Sequence, residues 1–339
     1  MALFTNTKAP QYAGAAGLMG DADRIRTTVL GRFSPFDGIG EDLRSVTGYD
    51  EALEVSGLGF EPRIELMQTI ADRQLINGYK AIFNEKDLLS VVKNEYTVVS
   101  NREAFAVSED LKDFENFTYE VSNMVNYGAK SRLFMSGPIV LIEGEEFTPY
   151  AVFHNSFDLS KSVSIQIMFL RMASKSGFMR RGPGVKSSVT FAHFGAKEPK
   201  LEKLNQFKYS FAVTLGFLQK EAAELRAMPL TRDQFVDDII PLAVSHAFQR
   251  PKDEPITDRQ QNRVISFVET ILSAYDSPDL SNFDGTAYKA VLAMADIDSH
   301  AAPFVNRGNA DLYINRILQD NGLRPSLANT VANHFKSSK

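Results

Sequence analysis

The chain has 339 residues, of which 44% are apolar and 23% are charged, and its formal net charge at pH 7 is −5. These values are ordinary for one large globular domain or two smaller ones. The sequence contains no cysteine, which excludes disulfides, thiolate catalysis and cysteine-based zinc sites. No stretch has the length and apolarity of a membrane span or of a signal-peptide core. We therefore expect a cytoplasmic protein that does not contact a membrane.

The first hundred residues show several short patterns. Residues 1–37 are rich in Gly, Ala, Thr and Pro and lack a clean period, which predicts an N-terminal arm. This arm is either a disordered tail or a segment that docks on a neighbouring subunit. Residues 47–57 predict a short helix with Thr47 as its N-cap. The Asn-Gly dipeptide at 77–78 predicts a hairpin turn, and the β-branched and aromatic residues at 96–99 predict a strand.

The centre of the chain is predicted to be rich in strands. A helical pattern over 101–114 is followed by apolar runs of strand length over 117–174, separated by turn-like segments. Such alternation indicates a meander of antiparallel strands.

The last third of the chain is predicted to be helical. Thr231 and Thr257 each precede a Gln by three residues, the pattern of a capping box that opens a helix. Apolar residues recur at helical spacing in five segments, 203–227, 232–249, 258–275, 285–299 and 309–321.

Sheet first and helices after is the order typical of an α+β protein. We predict an antiparallel β-meander with a basic loop, followed by a C-terminal helical region. The domain hypothesis has three parts, an arm over 1–37, a sheet domain with short helices over 38–203, and a helical region packed on the sheet over 204–339.

One charge asymmetry stands out in this acidic chain. Residues 171–203 hold eight basic residues and only two acidic ones, with several glycines among them. Arginines in a glycine-containing loop can bind phosphates, because backbone N–H groups come close and the guanidinium binds bidentately. The alternative is a solvated surface loop with no ligand. The predicted nucleic-acid contacts are Lys130, Arg132, Arg171, Lys175, Arg180, Arg181 and Lys186.

Motifs that carry covalent chemistry are absent from the sequence. There is no Gly-Lys pair for a phosphate-binding P-loop, no His-Glu-x-x-His zinc helix and no Gly-x-Ser-x-Gly elbow. The five histidines are scattered along the chain. We predict no catalytic residue, no metal site and no cofactor.

Five segments of the sequence, taken together, show a family pattern. They are YDEALEVSGLGF (49–60), EYTVVSNREAF (95–105), YGAKSRLFM (127–135), FHNSFDLSKSVSIQIMFLRMAS (153–174) and GTAYKAVLAMADIDSH (285–300). In this order they resemble the DUF932 family of phage- and plasmid-borne proteins. The chain departs from the family pattern at two positions of an "HDGS" turn, where Phe157 replaces His and Leu159 replaces Gly, while Asp158 and Ser160 remain. The next family motif is an "RVVC-x-NT" strand, from which the chain keeps Arg171. A later family motif is "RHT", from which the chain keeps only His193.

The resemblance implies a protein of the bacterial host's cytoplasm that serves a phage or plasmid. The first hypothesis is an oligomeric nucleic-acid-binding protein, including a single-strand annealing protein of recombination, with single-stranded nucleic acid as partner. The second is a virion or assembly protein, in which the N-terminal arm is exchanged between subunits. The third is an enzyme without a recognisable catalytic motif. A likeness to annealing proteins at the level of topology is analogy only.

Overall fold

A computed structural model describes residues 40–174, 177–178, 188–191, 200–248, 257–300 and 326–337. The predicted arm over 1–37 and the predicted helix over 309–321 lie outside these residues. Strands occupy the first part of the described chain and helices the last part, which confirms the predicted α+β class with an antiparallel meander followed by a helical region.

The larger sheet contains eight strands, all antiparallel to their neighbours. It is ordered β1-β5-β6-β8-β9, with β7 beside β8, and both β10 and β11 beside β9. The strands are β1 Glu41–Asp42, β5 Thr118–Val125, β6 Lys130–Ser136, β7 Val140–Ile142, β8 Glu145–Ser156, β9 Val163–Arg171, β10 Gly177–Phe178 and β11 Ser188–Phe191. Its central hairpin turns at Asn126, Tyr127 and Gly128, which all have positive φ.

A smaller sheet of three antiparallel strands is ordered β2-β3-β4. Its strands are β2 Arg63–Gln68, β3 Leu75–Asn84 and β4 Asp87–Lys93. Ile82, Leu89 and Val92 of this sheet pack on Tyr96 and Phe157 in a small hydrophobic cluster of their own. Phe157 belongs to the turn after β8, so this cluster joins the small sheet to one end of the large one.

Three short helices of the described chain precede the meander, and the other described helices follow it. The helices are α1 Tyr49–Val55, α2 Asn101–Ala104, α3 Val107–Glu115, α4 Lys200–Arg226, α5 Arg232–Gln234, α6 Ile240–Phe248, α7 Asp258–Tyr275, α8 Ala287–His300 and α9 Leu327–Ser337. A π-helical turn, Phe235–Ile239, joins α5 to α6, and a 3₁₀ turn, Pro278–Phe283, precedes α8.

The predicted capping boxes are confirmed at the starts of α5 and α7. Gln234 N–H donates to Thr231 Oγ1 over 3.2 Å and Gln260 N–H to Thr257 Oγ1 over 3.3 Å. Each Gln side chain in turn accepts the backbone N–H of its Thr, over 2.9 Å and 3.0 Å. These bonds satisfy N–H groups that a helix start otherwise leaves unpaired.

Helices cover one face of the large sheet, and the two layers share a hydrophobic core. Phe117 and Phe169 of the sheet side contact Phe211 of α4, with ring centroids 6.2 Å and 5.7 Å apart. The same cluster includes buried residues of α7, α8 and α9. Every residue of α8 is buried, so this helix forms the centre of the helical layer.

Three local predictions are wrong, each for a physical reason. Asn77-Gly78 lies within β3, where Gly78 supplies a positive φ of 88°, and the chain turns instead after Asn84, with Glu85 at positive φ. Residues 96–99 form no strand, because Tyr96 is anchored as a buried side chain whose hydroxyl donates to Ser156 O over 3.1 Å. The N-cap of α1 is Gly48, and Thr47 N–H donates to Glu51 Oε2 over 3.0 Å.

Candidate functional site

The large sheet has two unlike faces, and the predicted contact residues divide between them. On β9 the odd-numbered residues Ile165, Ile167 and Phe169 point into the shared core beneath the helices. Successive side chains of a strand alternate between faces, so Arg171 also belongs to the helical face. Lys130 and Arg132 of β6 belong to the opposite face, since their register partners on β8 alternate with the core residue Phe153.

Arg171 is wholly buried and its guanidinium binds two carboxylates. Nε donates to Glu145 Oε2 over 2.8 Å, and Nη1 donates to Asp279 Oδ2 over 2.8 Å. Nη2 also donates to the Asp279 carbonyl oxygen over 2.9 Å. Burial by itself lowers the pKa of Arg171, but the carboxylates of Asp296, Glu145 and Asp279 outweigh it, so the pKa is raised. The prediction that Arg171 contacts nucleic acid is wrong, because its N–H groups are directed to carboxylates inside the protein.

The surroundings of Asp279 favour its ionised form. Burial raises the pKa of Asp279, but hydrogen bonds from Ser277 and Arg171 and the charge of Arg171 overcome it, so the pKa lies below its usual value. The arrangement links the end of β9, the start of β8 and the 3₁₀ turn before α8. A buried charge pair with good hydrogen bonds fixes geometry more than it adds stability, so Arg171 sets how the sheet docks on the helices.

A cavity of about 510 Å³ opens beside this cluster. Its lining consists of Glu143, Gly144, Glu145, Arg226, Asn282 and Phe283. Arg226 of this lining donates from Nη1 to the Glu143 carbonyl oxygen over 2.6 Å. The ring of Tyr288 meets that of Phe283 edge-on, with centroids 5.1 Å apart. The Tyr288 hydroxyl is fully buried and has no hydrogen-bond partner among the described residues. Burial raises the pKa of this hydroxyl above its usual range.

Polar side chains of α8 join the end of β9 to the start of α9. His300 Nε2 lies 2.9 Å from the carbonyl oxygen of Ser174, just beyond β9. Asp298 Oδ2 accepts the backbone N–H of Ala328 over 3.0 Å, where a carboxylate suits the N-terminus of a helix. The family-like segments 153–174 and 285–300 therefore meet at this end of the sheet.

The second face of the large sheet carries a row of polar side chains across four strands. Asn123, Arg132, His154 and Ser164 are register neighbours on β5, β6, β8 and β9. Arg132 Nη1 donates to Asn123 Oδ1 over 3.0 Å. Nearby on the same face, the Tyr150 hydroxyl donates to Glu120 Oε1 over 2.7 Å. Such a row is unusual for a sheet interior, where apolar residues are the rule.

His154 at the centre of this row is neutral. Burial lowers its pKa well below 6.5, and the nearby charges of Lys161 and Arg132 lower it further. Its Nε2 has no hydrogen-bond partner in the part of the chain that the structure describes. A neutral imidazole beside two cations keeps this region from accumulating a third positive charge.

Lys130 lies at the rim of the same face. Its Nζ is 4.0 Å from Asp158 Oδ2, and about a quarter of its side chain is exposed. The structure thus brings Lys130 and Arg132 together, although Arg132 is buried.

In the family-like turn, Asp158 Oδ1 accepts the backbone N–H of Ser160 over 3.0 Å, so these two polar residues shape the turn between β8 and β9. His193, Lys175, Arg180, Arg181 and Lys186 lie outside the described residues.

Two short strands, β10 and β11, flank the basic segment 179–187, and both pair with β9. Phe178 of β10 is the register partner of Phe169, and Ser188 of β11 is the register partner of Gln166. Both of these partners lie on β9, three residues apart, which corresponds to about 10 Å along a strand. The described residues on either side of 179–187 therefore pair with the same strand at one edge of the large sheet.

The described residues contain neither a metal-binding cluster nor a membrane-spanning helix. No group of three or more His, Asp or Glu side chains in the described ranges is arranged to hold a metal ion. Likewise, no described helix combines the length and apolarity that crossing a membrane requires.

The charged cluster around Arg171 was missed because a count of basic residues does not say where a side chain points. One signal was present in the sequence. Arg171 ends the run SIQIMFLR and, like the apolar residues Ile165, Ile167 and Phe169, is odd-numbered. Because side chains alternate along a strand, Arg171 lies on the same face as these three, the core face. Its partners Glu145 and Asp279 are far apart in sequence, and no local pattern joins them.

Comparison with known proteins gives one match. The model of a family described as a domain of unknown function, DUF932, matches residues 88–323, more than two thirds of the chain. This range includes four of the five family-like segments, whereas residues 49–60 precede it. No curated protein and no solved structure is significantly similar to the chain. The matched range contains the Arg171 cluster, α8 and every described strand of the large sheet except β1, and the chain belongs to the DUF932 family.

Proposed function

We propose that this protein binds single-stranded nucleic acid through the basic segment at the β9 edge, without covalent chemistry. The observation that carries the proposal is that β10 and β11, the strands before and after residues 179–187, both pair with β9. The sequence between these two strands, MRRGPGVKS, contains three basic residues and no acidic one. Phosphate groups are the ligand that such a concentration of positive charge favours.

The position of Lys130 supports the same interface. Lys130 and Lys161 lie at the end of the sheet where β8 turns into β9, and Lys130 is partly exposed. β6 is two strands from β9, about 10 Å away in the plane of the sheet. A strand of nucleic acid that follows the β9 edge would therefore reach a second group of cations.

The biological role proposed with this interface is single-strand annealing or another recombination step of a phage or plasmid. Contacts restricted to the phosphate backbone leave the bases available for pairing. Annealing needs no nucleophile, metal or cofactor, which suits a chain without a catalytic motif.

Fluorescence anisotropy with a labelled single-stranded oligothymidine, at several salt concentrations, tests the proposal. The triple variant Arg180→Ala, Arg181→Ala, Lys186→Ala should bind more weakly. Loss of three phosphate contacts should also reduce the slope of log affinity against log salt by about 2. A matched control removes the same charge from helices, by replacing Lys220, Arg259 and Arg263 with Ala, all exposed.

Two results would overturn the proposal, either the absence of binding by the native chain at low salt or an equal loss of affinity in the control variant. Where binding is found, mixing complementary strands with and without the protein measures annealing directly. An unchanged annealing rate would leave binding in place and reject the annealing role.

A structural protein of an assembly is the second candidate. The small sheet favours it, because Leu66, Leu75 and Tyr79 expose large parts of their side chains and exposed apolar surface often marks a contact with protein. Finding the protein in purified particles, together with the absence of binding to the oligonucleotide, would favour this role over the first.

A further inference from the structure

Strand β2 forms an open edge of the small sheet. It pairs with β3 on one side, and no strand in the described part of the chain pairs with its other side. Its sequence, RIELMQ, alternates charged and apolar residues, yet Ile64 is 49% exposed and Leu66 is 69% exposed. An open edge of this kind offers unpaired backbone N–H and C=O groups to another strand.

The exposure has a geometric cause. The small sheet rests on the body of the protein through Ile82 of β3 and Leu89 and Val92 of β4. Ile64 is the register partner of Ile82, so both point to the body side, but β2 lies one strand further out. The body covers β4 and part of β3, and β2 extends beyond it with its apolar side chains uncovered.

We propose that the edge of β2 pairs with β2 of a second copy of this chain, antiparallel about a twofold axis at Ile64. This contact is independent of the nucleic-acid interface. In this register Arg63 of each copy faces Glu65 of the other, and the two Ile64 side chains face each other. Opposite charges and apolar side chains are favourable cross-strand pairs, and a twofold contact is self-complementary by construction.

The charge pattern selects this register over its neighbours. An axis at Glu65 would place the two Glu65 carboxylates opposite each other, which is unfavourable. An axis at Leu66 would place Glu65 opposite Met67 and form no charge pair. Pro62, directly before β2, lacks an N–H and limits how far pairing extends in that direction. Within its own chain Arg63 already pairs with Glu65 on the same face, so both groups are positioned on that face.

The absence of native cysteine makes a cross-linking test specific. With the axis at Ile64, the two residue-64 Cα atoms are about 4.5–5.5 Å apart, within the range that a disulfide bridges. The variant Ile64→Cys should therefore form a covalent dimer under mild oxidation. The variant Leu66→Cys should not, because its two Cα atoms would be about 13 Å apart.

Complementary charge reversal provides the second test, read by light scattering during size exclusion. The native chain should have about twice the monomer mass of 37.7 kDa. Arg63→Glu and Glu65→Lys should each be monomeric, because each places like charges in opposition. A mixture of the two variants should recover the dimer, since every facing pair is then opposite in charge. An ion pair within one chain cannot produce recovery on mixing.

Three outcomes would overturn the proposal. The first is a native chain that stays monomeric at its highest soluble concentration, as expected if residues 1–39 or another molecule cover β2. The second is a dimer that both charge variants leave intact. The third is equal cross-linking of the two cysteine variants. The cysteine variants leave Arg63 and Glu65 in place, so their result stands even where a charge variant fails to fold.

Discussion

At the scale of single residues, Arg171 shows that a basic residue in a basic stretch of sequence need not lie on a binding surface. It is an arginine in the most basic part of the sequence, yet it is wholly buried against Glu145 and Asp279. The residues it binds are acidic groups of the protein, and its place is the joint between sheet and helices. Asp158 and Ser160, which the family pattern also contains, are likewise bonded to each other and shape the turn between β8 and β9.

Replacing Arg171 by Met should destabilise the fold strongly. Met keeps much of the side-chain volume, so the loss comes mainly from two buried carboxylates that no longer have a cation. Removal of one partner of a buried ion pair costs about 3–5 kcal/mol. Urea unfolding measures the change, with Arg232→Met as control. That arginine pairs with Asp276 over 2.8 Å at the surface, where pairs contribute about 0–1 kcal/mol.

The same variant separates a structural role from a binding role. Under conditions in which Arg171→Met remains folded, its affinity for the oligothymidine should match that of the native chain. A selective loss of affinity with little loss of stability would show that Arg171 contacts nucleic acid after all.

His154 should make stability depend on pH between about 5 and 7. Its folded pKa lies well below 6.5, through burial first and the charges of Lys161 and Arg132 second. Below pH 6.5 the unfolded state therefore binds a proton that the folded state does not, and stability falls as pH falls. The slope from one such group approaches about 1.4 kcal/mol per pH unit.

Urea unfolding at several pH values checks this prediction. The variant His154→Gln should flatten the pH dependence in this window, whereas His334→Gln, at an exposed position of α9, should leave it unchanged. An identical slope in the native chain and in His154→Gln would contradict the assignment of the effect to His154.

At the scale of elements, the prediction from sequence succeeded where the signal was local and strong. The capping boxes at Thr231 and Thr257, the helix Asp258–Tyr275 and the run of strands through 117–174 follow from hydrogen-bonding capacity and periodicity. Wrong predictions arose where tertiary contacts overrode a local preference. The Asn-Gly dipeptide at 77–78 accepts a positive φ inside a strand, and Tyr96 is held by a distant carbonyl group.

The candidate sites were less accessible to sequence analysis than the elements. Lys130 and Arg132 lie close together because they are on one strand, β6. The polar row through His154 and the cluster around Arg171 depend on strand register and on contacts between residues more than a hundred positions apart. Periodicity can assign a side chain to one face of a sheet, but it does not identify the residues that the side chain contacts on that face.

At the scale of the whole molecule, the described residues include two hydrophobic clusters that differ greatly in size. The large one joins the eight-stranded sheet to the helices, and the small one holds only the three-stranded sheet against Tyr96 and Phe157. Parts of a protein with few buried apolar contacts open more often than its core. The small sheet is therefore expected to open without unfolding of the rest.

Hydrogen exchange measured by mass spectrometry tests this difference. In dilute protein, amides of β2 and the first half of β3 should exchange about 100-fold faster than those of β6 and β8, which lie inside the large cluster. The contact between two copies adds a second expectation, because pairing through β2 would protect its amides by mass action. Protection of β2 should then rise with protein concentration while that of β6 stays constant. Uniform protection across both sheets would mean that the small sheet unfolds only with the core.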